Sequence, residues 1–84
     1  MEERILTEEC VKGFSEYLYR EEKSRATREK YLRDVERFRL FLGGAYVTRE
    51  AVFGWKEFLV ERGYAPRSIN SMLASVNSLL SFLG

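Results

Sequence analysis

Residues 66–83 read Pro66-Arg67-Ser68-Ile69-Asn70-Ser71-Met72-Leu73-Ala74-Ser75-Val76-Asn77-Ser78-Leu79-Leu80-Ser81-Phe82-Leu83. Within them Ile69, Leu73, Val76, Leu80 and Leu83 recur at intervals of four, three, four and three, the strongest periodicity in the chain. That spacing lines one face of an α-helix, because i, i+3 and i+4 share a side at 3.6 residues per turn. Pro66 suits the first helical position, where the N–H it lacks would have had no intrahelical partner. Phe82 points off the stripe.

The same signals recur upstream. Gly63 ends a segment in which Val52, Trp55 and Leu59 face inward and which Thr48 opens as N-cap, with Arg49-Glu50-Ala51 as its first turn. Before it, Gly43-Gly44 stops a helix running from about Ala26 to Leu42, whose Tyr31, Val35, Phe38 and Leu42 form one stripe. Projected at about 100° per residue, Lys30, Arg33 and Arg37 fall on the opposite side of that helix. A first helix starts after Thr7, where Glu8 and Glu9 favour the positive end of the helix dipole, and presents Val11, Phe14, Tyr17 and Leu18. The run from Arg20 to Arg25 breaks the pattern and reads as a connection. No strand pattern and no internal repeat occurs, so the expected fold is all-α, a compact four-helix bundle. Phe53 and Val60, one heptad apart on the back of the third helix, fit either residual core contacts or a docking patch.

The 84 residues allow one domain, 1–84, with a core that must be efficient at this size. Cys10 is the sole cysteine, which excludes an intrachain disulfide; one turn before Phe14, it reads as an inert core thiol in a reducing compartment. No apolar run reaches the roughly 18 residues of a membrane span, and Met1-Glu2-Glu3-Arg4 lacks the apolar segment of a signal peptide. A cytoplasmic location without membrane partners is expected. The chain has no His, no metal-ligand cluster and no phosphate-binding glycine loop. No catalytic residue, metal or cofactor is therefore expected.

Net charge is only +1, but its distribution is uneven. Residues 1–22 carry seven acids against three bases, whereas residues 23–39 carry seven bases against three acids. Beyond Gly63, Arg67 is the single charge. Two helix openings thus concentrate cations, hydroxyls and amides: Lys23, Ser24, Arg25, Thr27 and Lys30 at the second helix, and Arg67, Ser68, Asn70 and Ser71 at the fourth. Helix N-termini present unpaired N–H groups and partial positive charge, so these openings suit a phosphate backbone. Ser24 or Thr27 serves equally as a plain N-cap. Opposite the apolar stripe, the fourth helix carries Asn70, Ser71, Ala74, Ser75, Asn77, Ser78 and Ser81 in place of the Glu and Lys usual on solvated helices. Small hydrogen-bonding residues permit close approach of DNA or of another protein helix.

Lys23-Ser24, Thr27, Tyr31, Val35, Phe38, Phe41-Leu42, and then Tyr64-Ala65-Pro66-Arg67-Ser68-Ile69-Asn70 with the end Leu79-Leu80-Ser81-Phe82-Leu83-Gly84, form an ordered combination. In it the chain resembles the N-terminal core-binding, SAM-like domain of phage integrases and other tyrosine recombinases, over about residues 5–84. The resemblance implies a SAM-like four-helix domain, excised from a longer recombinase, that forms half of a clamp on double-stranded DNA. It implies as further partners the catalytic domain of the same parent chain and other recombinase protomers on DNA. Carried over, the DNA contacts are Lys23, Ser24, Arg25, Thr27, Lys30, Arg67, Ser68, Asn70 and Ser71. The family's catalytic set belongs to the other domain. One departure is that Ser71 and Met72 stand where relatives often carry Arg after the Asn, leaving Arg67 to hold phosphate. The alternative is a helical protein–protein interaction module.

Overall fold

The computed structural model describes residues 4–84. Its helices are α1 (Glu8–Arg20), α2 (Arg25–Leu42), α3 (Arg49–Glu61) and α4 (Pro66–Leu83). Side-chain hydroxyls set three of the four starts. Thr7, Ser24 and Thr48 accept hydrogen bonds from the backbone N–H groups of Cys10, Thr27 and Ala51 at 3.2, 3.2 and 3.0 Å. Each satisfies one of the donors that a helix start leaves open. Pro66 opens α4 at its first position, and Ala65 before it provides no side-chain cap. Gly43 terminates α2 at φ +56°, a left-handed conformation that favours glycine, with its N–H donating to Arg39 O at 3.2 Å.

One cluster of buried side chains holds the helices together, with Phe14, Leu18, Val35, Phe38, Trp55, Val76 and Leu79 almost wholly out of solvent. Phe38 and Trp55 meet with ring centroids 5.1 Å apart at 55°, a tilted geometry suited to aromatic quadrupoles. Phe82 belongs to this core: its ring lies 5.7 Å from Phe14 and 5.1 Å from Tyr17. Phe53 and Val60 do not, and remain 65% and 56% exposed.

The buried face of α4 is turned from the one its spacing predicts. Ile69, Met72, Ser75, Val76 and Leu79 are buried, while Leu73, Leu80 and Leu83 pack half-buried at the flank. The reason is α4's central place: it touches all three other helices and packs most extensively on α2, so a broad arc of its surface is covered. Ser75, expected on the polar face, lies in that arc with no exposure at all.

Two further core residues come from outside the helices. Val47 N donates to Arg4 O at 2.7 Å and Ile5 bridges Tyr46 in antiparallel fashion, which brings Leu6 and Val47 into the core. Cys10 sits at the rim of the core, half-buried, not within it. The Thr7 hydroxyl donates to its Sγ at 3.3 Å and holds the thiol below its ordinary range.

Candidate nucleic-acid interface

The starts of α2 and α4 differ from those of α1 and α3 in charge. Glu8 and Glu9 occupy the first turn of α1 and Glu50 that of α3, whereas neither α2 nor α4 has an acid there. Lys23, Ser24 and Arg25 surround the start of α2 and are exposed, as are Arg67, Ser68, Asn70 and Ser71 at the start of α4. Neither Lys23 nor Arg67 enters an ion pair among the described residues. Ala65 provides no side-chain cap and Pro66 has no N–H, so the start of α4 lacks the hydroxyl acceptor that the other three starts have.

At the start of α2 the hydroxyls are partly committed. Ser24 accepts from Thr27 N and donates to Thr27 Oγ1 at 2.9 Å, which rigidifies the turn. Arg25 Nε donates to Glu29 Oε1 at 3.0 Å, but the Arg25 side chain is 85% exposed. A bridge that exposed is worth little and yields readily to a stronger anion.

Lys30 behaves differently from its sequence expectation. Instead of lying on the solvent side with Arg33 and Arg37, it points at α4. Its Nζ donates to Asp34 Oδ2 at 2.6 Å, to the backbone carbonyl of Ser71 at 2.8 Å and to Ser75 Oγ at 3.1 Å. Ser75 Oγ in turn donates to Asp34 Oδ2 at 2.8 Å. An ammonium has three donors, and here each has an acceptor, so none is left over for a phosphate. Asp34 is only 3% exposed.

This network brings the two openings together. Lys30 and Ser71 lie in the second turns of α2 and α4. With about 1.5 Å rise per residue and about 8–10 Å between packed axes, the first residues of the two helices lie within roughly 25 Å of each other.

The remaining cations of α2 divide by partner. Arg39 Nε donates to both oxygens of Glu36 at 3.1 and 3.0 Å, and that bond holds the Glu36 carboxyl below the usual carboxylate range. Arg33 and Arg37 are exposed and outside any ion pair among the described residues. Arg28 was not singled out by the sequence reading, yet it lies one turn into α2 with its guanidinium 5.0 Å from the centroid of the Tyr19 ring. That contact also gives Tyr19 a role as its platform. Its Nε is shut off from solvent without a hydrogen-bond partner among the described residues. The signal was available only as Arg28 within the basic opening; Tyr19, on another helix, gave no hint of it.

Among the described residues no group of His, Cys, Asp and Glu could hold a metal ion, and no helix is long and apolar enough to cross a membrane.

Residues 11–84 match the model of the family described as phage integrase, N-terminal SAM-like domain. The chain belongs to this family. No curated protein and no solved structure matches it. In this SAM-like domain the residues that carry the family likeness have definite structural duties. Ser24 caps α2, Thr27 locks that cap, and Tyr31 packs half-buried against the core. Pro66 begins α4, and Ile69 and Leu79 are buried. Ser24, Thr27 and Pro66 thus shape the two basic openings.

Proposed function

We propose that this SAM-like domain is a non-catalytic DNA-binding module that grips duplex DNA for site-specific recombination, with chemistry supplied by a separate catalytic domain of a longer recombinase. The observation that carries the reading is the adjacency of two acid-free, cation-bearing helix starts, joined through Lys30 and Ser71. Lys23, Ser24, Arg25 and Thr27 on one side, and Arg67, Ser68, Asn70 and Ser71 on the other, are the proposed contacts. In this reading the cations and helix-start N–H groups meet phosphates, and Asn70 is the side chain suited to a base edge. Double-stranded DNA, the catalytic domain and other protomers on DNA are the proposed partners.

Titration with duplex DNA at several salt concentrations tests this. About four neutralised phosphates give a slope of log K against log salt near −3.6, and an isolated half-clamp binds at about 10⁻⁴ to 10⁻⁶ M. Amide shifts should cluster at residues 23–28 and 67–71. Shifts confined to α1 and α3 would refute the proposed face.

A second reading, a helical protein–protein interaction module, draws on exposed Phe53 and Val60, with Phe53 lining a groove beside Val52, Leu73 and Leu80. Concentration-dependent sedimentation that is indifferent to DNA would favour it.

A further inference from the structure

We infer that Lys30, Asp34 and Ser75 are positioning residues. They act as an internal clasp that sets the two helix starts at the separation and rotation needed to meet one duplex, and they do so without touching DNA. This rests on the DNA-binding reading above and assigns Lys30 a different part in it. The first ground is completeness. The Lys30 ammonium spends its donors on Asp34, Ser75 and the Ser71 carbonyl, and the Ser75 hydroxyl closes the ring to Asp34. No donor of the clasp is left to reach a phosphate.

The second ground is energetic. Asp34 is 3% exposed and Ser75 fully buried, in an interface otherwise lined by apolar side chains. Withdrawing a carboxylate from water is costly, and well-packed apolar residues in its place would hold two helices together at least as firmly. What directional bonds add is geometry. An apolar contact tolerates sliding and rotation, whereas this clasp holds α2 by two side chains one turn apart and grips α4 partly by its backbone, at the Ser71 carbonyl. That carbonyl belongs to the residue after Asn70, inside the proposed contact segment, so movement there moves the surface itself.

The sign of one substitution separates the clasp from a plain electrostatic role. Asp34→Asn removes a negative charge and releases an ammonium, so charge alone predicts tighter binding to DNA. Loss of position predicts weaker binding, by about fivefold at low salt. Lys30→Met should weaken binding similarly while leaving the salt slope unchanged; a Lys30 that met phosphate would instead reduce it by about 0.9.

A measurement without DNA completes the test. Spin labels at Arg25→Cys and Arg67→Cys, in a Cys10→Ser background, report the separation of the two starts. A broadened distance distribution in Asp34→Asn supports the clasp. If the parent chain binds no duplex and the distribution still broadens, the clasp stands and the DNA reading falls. A distribution as narrow as the parent's, or tighter duplex binding by Asp34→Asn, overturns the clasp. Should Asp34→Asn fail to fold, Ser75→Ala, which keeps the ion pair, carries the same two readouts with a smaller loss.

Discussion

Helices α1 and α3 carry glutamate in the first turn, Glu8 and Glu9 in one and Glu50 beside Arg49 in the other, while the first turns of α2 and α4 hold cations and no acid. The first pair satisfies its own dipole, since carboxylates near an N-terminus do locally what a bound anion would do. The second pair leaves that potential unanswered and adds to it. Four helices around one small core therefore divide into two that are electrostatically finished and two that are not. A difference in sequence confined to a single turn separates helix starts whose dipole meets a carboxylate from starts whose dipole does not.

The comparison breaks most visibly by charge reversal. The double variant Lys23→Glu/Arg67→Glu is expected to lose about 30-fold or more in duplex affinity at low salt. Lys12→Glu/Lys56→Glu changes net charge equally but sits on the exposed surfaces of α1 and α3. Its loss should stay within about threefold. Fluorescence anisotropy with a labelled duplex measures both, and equal losses would erase the distinction between the two kinds of helix start.

Capping sharpens it next. Thr48→Ala should lower unfolding stability by about 1 kcal/mol and leave DNA binding alone. Ala65→Asp, which gives α4 the cap and negative charge it lacks, should raise stability by about 0.5–1 kcal/mol and weaken duplex binding. Urea unfolding and anisotropy on the same samples give both quantities. A variant gaining in both would mean that the open start of α4 has no part in holding DNA.

The smallest effect concerns the far half of α2, where Arg39 is engaged by Glu36. The Glu36 carboxyl is depressed by that hydrogen bond. Its contribution to stability is therefore present above the ordinary carboxylate range and lost as pH falls through the folded-state value. With Glu36 partly exposed, solvent screens the pair and the effect stays small. Melting curves from neutral pH down to about pH 3 should show a slightly shallower decline for Glu36→Gln than for the parent.

The helix ends were legible in sequence because they are local. Thr7, Thr48, Gly43 and Pro66 act on groups within about four residues, so their spacing to the apolar stripes already states the outcome. The uneven charge that marks the starts of α2 and α4 was legible for the same reason. Less visible was the packing of Arg28 on Tyr19, which joins two helices across a connection. The pairing of Arg4–Ile5 with Tyr46–Val47 was equally hidden, since one bridge leaves no period to detect.

The chain's own pattern thus determined four helices, their limits and which two begin with unopposed positive charge. Which arc of α4 is buried, and whether Lys30 faces solvent or the core, only the assembled bundle decided. Asp34 and Ser75 stand 41 residues apart, and nothing in either neighbourhood announces the other. A lysine on a helix reads as solvated until packing delivers a buried carboxylate and a carbonyl within reach, and that depends on how two surfaces meet.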